Sequence, residues 1–133
     1  MIEEVRFENV NFGYEPDVPV LKNISFTLKR NMKLAIVGQT GAGKSTIINL
    51  LARFYDPNEG RILIDGHDVR DIPLVSLRGH MSIVLQDSFL FSVPIKENIR
   101  FGKLEASDRE VIDAAKSVGA HDFIMKLPND YDY

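Results

Sequence analysis

The chain has 133 residues, room for one domain of ordinary size, and its 44% hydrophobic and 26% charged residues exclude the low-hydrophobicity, high-charge class of disordered chains. Sixteen Lys and Arg against nineteen Asp and Glu leave a net charge of −3, so the overall field gives no footprint for nucleic acid, and any anion has to be captured locally. With no cysteine and no long apolar run, the chain offers neither a disulfide framework, nor a thiolate metal site, nor a segment able to span a bilayer.

In chain order, Val5, Phe7, Val10 and Phe12 recur with an offset between Phe7 and Val10, which predicts a strand broken by a bulge. Ile24, Phe26 and Leu28 alternate with polar neighbours and predict a second, half-buried strand of the same small sheet. Between them, residues 13–19 form a turn-rich loop that carries Tyr14 near its start. Residues 33–37 are a continuous apolar run, the pattern of a parallel strand covered on both faces. Ile47, Leu50, Leu51 and Phe54 follow at helical spacing, with Asp56 and Pro57 ending the helix.

Residues 61–69 read as a hairpin with Ile62 and Ile64 inward and a turn at Asp65 and Gly66. Residues 81–85 predict a second core strand, and residues 94–99 a short helical turn. Ser107 and Glu110 have the spacing of a capping box. The helix they open carries an apolar stripe of Val111, Ala114, Ala115 and Val118 and stops at Gly119.

Between the first apolar run and its helix stand Gly38, Gln39, Thr40, Gly41, Ala42, Gly43, Lys44, Ser45 and Thr46, which satisfy G-x-x-x-x-G-K-[ST] in the strand-loop-helix setting that the motif needs. The glycines let successive N–H groups approach a polyphosphate closely, and the helix N-terminus adds a favourable dipole. Lys44 supplies a mobile point charge for the β- and γ-phosphates, and Ser45 a hydroxyl for Mg2+. Nucleotide polyphosphate binding is therefore expected, with base and reaction left open.

The flanking residues narrow the choice. Residues 10–14, 20–26, 55–66, 84–91, 95–99 and 123–128 match, in order, blocks of the nucleotide-binding domain of ABC transporters, and the whole chain resembles the exporter type. The resemblance implies an α/β P-loop NTPase fold with an incomplete parallel core sheet, a small antiparallel β subdomain and the beginning of an α-helical subdomain. It implies one partial domain over residues 1–133. Residues 1–30 and 58–72 would form the antiparallel part, 31–57 and 73–87 the P-loop core, and 88–133 part of the helical subdomain.

It further implies roles for single residues. Tyr14 is similar to the aromatic that stacks on adenine, a π-face being a selective surface for a purine, with Val20 lining the same pocket. Thr46 would help hold the α-phosphate. Gln86 resembles the glutamine that reaches Mg2+ and the attacking water, which makes Lys44 and Gln86 the catalytic candidates and Ser45 and Gln86 the metal ligands. The stretch from Gln86 through Ser88, Phe89 and Leu90 to Phe91 would receive the transmembrane domain of an exporter, on the cytoplasmic face of the membrane, or its three large apolar residues would be buried in the helical subdomain. A second nucleotide-binding domain would pair head to tail with this one. Val93 and Pro94 stand where exporters commonly carry Gly-Thr, a departure that a helix's first turn tolerates.

No Leu-Ser-Gly-Gly-Gln-like signature loop and no Walker B strand occur in the 133 residues. Ile62, Leu63, Ile64 and Asp65 imitate the latter, but glycine follows, and Asp65 reads as a turn residue. His67, His80 and His121 read as ordinary surface or capping residues. The expectation is an amino-terminal part of an ABC exporter ATPase that binds Mg-ATP weakly, turns it over negligibly by itself, and is soluble or aggregation-prone for want of a complete sheet. The alternative is a non-catalytic nucleotide-binding module serving assembly or regulation.

Overall fold

The offset between Phe7 and Val10 is a bulge in strand β1 (Glu4–Phe12), which pairs antiparallel with β2 (Leu21–Lys29). The slip in register at that point keeps both side chains on the buried face, Phe7 at 1% and Val10 at 0% exposure. Asn9 takes a left-handed φ of 47° there, and its N–H donates to Ser25 Oγ at 2.8 Å. This computed structural model describes residues 2–41, 43–87 and 89–133, in two compact units, Met1–Ile83 and Val84–Tyr133.

The first unit is built on a four-stranded sheet of order β2-β1-β3-β4, in which β3 is Glu59–Ile64 and β4 is His67–Asp68, with every pair antiparallel. Asp65 and Gly66 turn the hairpin with positive φ at both positions, the backbone of a type I′ turn. Asp65 also reaches across the sheet: its carboxylate accepts the N–H groups of Glu4 at 2.8 Å and Glu3 at 2.9 Å. Those bonds, the one from Glu4 first, hold its pKa below the ordinary carboxylate range. Leu63 is buried along with Ile62 and Ile64, so the end of β3 is covered on both faces.

Helix α1 (Lys44–Leu51) buries Thr46, Ile47 and Leu50; Ile47 and Leu50 join a core with Phe7, Phe12, Leu21 and Ile62. Helix α2 (Leu74–Gly79) adds Leu77 to the same core. The stripe expected to continue to Phe54 stops short, because α1 ends at Leu51 and Arg53 turns left-handed with φ 53°. Phe54 is left exposed with the Arg78 guanidinium 5.0 Å from its ring centroid. That guanidinium donates to the carbonyls of Ala52 at 3.1 Å and Arg53 at 3.0 Å, satisfying oxygens that the end of α1 leaves unpaired.

Residues 33–37 and 81–85, expected as core strands, are not strands here. A parallel strand is stable only with hydrogen-bonded neighbours, and every strand pair among the described residues is antiparallel. Their apolar side chains accordingly stay in solvent, Val37 at 89% and Val84 at 96% exposure. Ile36 and Met81 alone among these residues pack partly against the core.

The conformation at Gly43 sets where α1 starts. Its φ is +85°, and a Cβ there would sit 2.8 Å from Leu21 Cδ2 and 3.2 Å from Val20 Cγ1. The first turn of α1 is thus pressed against the beginning of β2, which a side chain at 43 would prevent.

The second unit is helical. Helix α3 (Ile95–Arg100) follows Pro94, helix α4 (Asp108–Ser117) follows Ser107, and α5 (His121–Ile124) leads to a 3-10 turn at Asp130–Asp132. The predicted capping box is formed: Ser107 Oγ accepts the Glu110 N–H, and Glu110 accepts the Ser107 N–H at 2.8 Å. Val111 and Ala115 are the buried part of the α4 stripe, whereas Ala114 and Val118 are exposed. Arg100 ties α3 to the start of α4 through the Ala106 carbonyl and Asp108. Among the described residues no helix is long and apolar enough to cross a membrane.

Gly43→Ala should lower thermal stability by ~1–3 kcal/mol for the left-handed backbone, with a further loss from displacing buried Leu21. Gly41→Ala, at φ +83° with nothing within 4 Å, should cost the backbone part alone, so melting curves should rank the first variant below the second. In the helical unit, Lys103 and then Ser107 hold the Glu110 pKa down from 4.5 to about 2. A depressed carboxylate stabilises above its unfolded pKa and loses that contribution as pH falls through the folded value. Circular dichroism should therefore show α4 loosening between pH 4.5 and about 2, a transition that Glu110→Gln removes, while Ser107→Ala should cost ~1 kcal/mol at neutral pH.

Candidate functional site: the phosphate loop and its surroundings

Of the residues in the loop motif, Gly38, Gln39, Thr40 and Gly41 are exposed and Gly43 is buried against β2, while Ala42 lies outside the described residues. Lys44 opens α1 and folds back over the loop, its Nζ donating to the carbonyls of Gly38 at 2.7 Å and Gln39 at 2.6 Å. The ammonium is thereby held across the loop next to a helix N-terminus that carries no acidic residue in its first turn and no side-chain cap at Gly43. The first bond of α1 runs from Ile47 N to the Gly43 carbonyl at 3.2 Å, so the N–H groups of the first turn lack intrahelical acceptors. Cation, dipole and free donors all favour an anion at the same place.

Ser45 is exposed in that first turn, and Thr46, at 4% exposure, points inward. Thr46 Oγ1 lies 3.1 Å from the Tyr14 hydroxyl, which also accepts a bond from Asn49 Nδ2 at 3.2 Å. The Tyr14 ring stands edge-on to Phe12 and Tyr55, with centroids 5.0 Å away in each case. Its loop is tied down by Asn58, whose Oδ1 accepts the Gly13 N–H at 2.8 Å, and by Val20, whose N–H donates to the Phe12 carbonyl at 2.8 Å. Val20 is half-buried beside Gly43. The structure thus brings together Tyr14, Val20, Gly43 and Thr46, which sequence reading nominated, with Asn49, Tyr55 and Asn58, which it did not. Asn49 faces Tyr14 because it lies three residues beyond Thr46 on the same helix, a spacing that was legible once Tyr14 and Thr46 were both in question.

Gln86 and the stretch to Phe91 belong to the second unit, and Ser88 lies outside the described residues. Gln86 is exposed. Phe89 and Leu90 are exposed by 74% and 73%, and Phe91 packs against Phe101 at 4.7 Å between centroids. Asn98 holds this stretch in place: its Oδ1 accepts the Phe91 N–H at 2.8 Å, and its Nδ2 donates to the carbonyls of Phe91 and Val93. Beside it runs an apolar groove of about 560 Å³ lined by Phe91, Val93, Ile99, Phe123 and Leu127, among others.

His67 and His80 line one pocket with Asp65 and Ser76. His80 Nδ1 bonds the Ser76 carbonyl at 2.8 Å and His121 Nδ1 pairs with the Tyr131 hydroxyl at 2.8 Å, both local contacts. Among the described residues no group of three or more His, Cys, Asp or Glu side chains could hold a metal ion. Within the motif, the Ser45 hydroxyl is an exposed neutral oxygen donor. Such a neutral ligand suits Mg2+ when phosphates and water fill its remaining positions.

A family model described as "ABC transporter" matches residues 21–132. The chain is 57% identical over 128 residues to a putative ABC transporter ATP-binding protein, MG015, of Mycoplasma genitalium, covering 96% of this chain and 22% of the relative. It is 56% identical to a mitochondrial iron-sulfur clusters transporter, atm1, of Aspergillus fumigatus, covering 96% of this chain and 18% of that protein. Among solved structures it is similar to a bacterial Atm1-family ABC exporter with ATP bound, at 50% identity and a TM-score of 0.93, over 99% of this chain and 23% of the other. The chain therefore spans about a fifth of the length of the curated relatives it matches. That likeness carries the P-loop NTPase fold with it, and the chain belongs to the ABC transporter family.

Proposed function

We propose that this chain is an ATP-binding part of an ABC exporter ATPase, in which the phosphate loop clamps the polyphosphate of Mg-ATP. The observation that carries the reading is the position of Lys44, whose ammonium bridges the Gly38 and Gln39 carbonyls beside the open N-terminus of α1. An incoming phosphate gives that cation a stronger, charge-assisted acceptor than two neutral carbonyls. Backbone N–H groups of Gly38 to Gly41 and of Gly43 to Thr46, with the Ser45 and Thr46 side chains, complete the cradle. ATP is supported as the nucleotide by the likeness to an exporter that binds it, and by an aromatic, Tyr14, with Val20, beside the loop.

In this reading Ser45 and Gln86 contribute the protein's oxygen ligands to Mg2+, which when bound neutralises charge on the β- and γ-phosphates. Gln86 orients the attacking water. The residues of the phosphate loop bind and polarise the polyphosphate, none of them is a carboxylate, and in this reading turnover by the chain alone is negligible. In the parent transporter, hydrolysis at the cytoplasmic face of the membrane drives export. A second nucleotide-binding domain completes the site head to tail. The exposed Phe89 and Leu90 and the groove beside Phe91 give the membrane domain an apolar seat.

Titration calorimetry with Mg-ATP on the wild type and on Lys44→Ala tests this. Removal of the ammonium should weaken binding by about tenfold or more, without changing the melting temperature of the free chain by more than a degree or two. Equal affinity in the two proteins would contradict the reading.

A further inference from the structure

Thr46 is expected to hold a phosphate oxygen, yet in this structure its hydroxyl is engaged elsewhere. Asn49 Nδ2 can only donate, so the Tyr14 oxygen accepts from it at 3.2 Å, and the same oxygen lies 3.1 Å from Thr46 Oγ1, a pair in which either hydroxyl can donate. The result is a hydrogen-bonded chain that joins Asn49, Tyr14 and Thr46. Phe12 and Tyr55 stand edge-on to the Tyr14 ring and fix its tilt. Thr46 is buried at 4% exposure with its hydroxyl on that of Tyr14, while Tyr14 itself is 48% exposed and has solvent to swing into.

We propose that Asn49 is a positioning residue that latches the Tyr14 ring over Thr46, so that polyphosphate entry and release of the aromatic ring are one event. The inference rests on the function proposed above and adds to it a device in the free chain. A polyphosphate that reaches Thr46 breaks the Tyr14 contact, and the ring, once freed, is available to a base. The latch is a cost on binding that the unliganded chain imposes, and deleting it strengthens binding.

The probe that separates the latch from base stacking is Mg-tripolyphosphate, which has no base. On the full chain, Tyr14→Phe and Asn49→Ala should each raise its affinity about three- to tenfold, the effect of one hydrogen bond. The double variant should gain no more than the better single one, because both remove the same chain of bonds. In the free protein with 13C-labelled tyrosine, Asn49→Ala should move the Tyr14 ring signals in the direction that tripolyphosphate moves them in the wild type, a shift that a merely structural role does not produce. Tyr14→Phe retains the ring and its packing, so it gives the answer even if Asn49→Ala fails to fold. Lys44-dependent binding that neither variant strengthens would overturn the latch and leave the proposed function standing. Absence of tripolyphosphate binding in the wild type and every variant would overturn both.

Discussion

The left-handed backbone at Gly43, seated against Leu21 and Val20, is the constraint on which the rest of the first unit depends. It starts α1 at the point where β2 begins, and from there the helix lays Ile47 and Leu50 onto the sheet. The same seat brings the first turn of α1 beside the loop between β1 and β2, so that Thr46 and Asn49 meet Tyr14. A packing requirement in the core and the geometry of an anion site are therefore one feature. Neither can be altered at residue 43 without the other.

The charge logic is equally local. A chain with a net charge of −3 has no general attraction for a polyphosphate, and in the proposed function the phosphate loop overcomes this with one lysine, a helix dipole and backbone donors. Many other charges are paired on the surface, as in Arg6 with Glu4 and Glu8, and Arg61 with Glu8. Exposed pairs of this kind contribute little to stability.

Much of this was legible in the residues. The bulge at Phe7 and Val10, the Asp65-Gly66 turn and the Ser107-Glu110 capping box are local patterns, and each formed where its spacing placed it. The apolar runs at 33–37 and 81–85 were not sufficient evidence for strands, because a parallel strand is decided by partners far away in sequence and not by its own composition. Asn49, Asn58, Asp65 and Asn98 were missed as organisers for a related reason: polar side chains look like loop or surface residues until the backbone that they bond is known. Asp65 bonds N–H groups sixty-one and sixty-two positions away, and Asn58 one that is forty-five away. The residues from Gly38 to Thr46 were the readiest to nominate, since a phosphate cradle needs its glycines and its lysine at fixed offsets along one continuous stretch, and their role is what the proposed titrations test.

The central claim is that the loop of residues 38–46 captures the polyphosphate. Amide chemical-shift mapping of the 15N-labelled chain during titration with Mg-ATP tests it most directly. The account predicts that the largest shifts fall on the N–H groups of Gly41, Gly43, Lys44, Ser45 and Thr46, with smaller ones at Tyr14 and Val20. Saturable shifts that leave these amides unmoved and cluster elsewhere, for instance along the groove of Phe91 and Phe123, would contradict it.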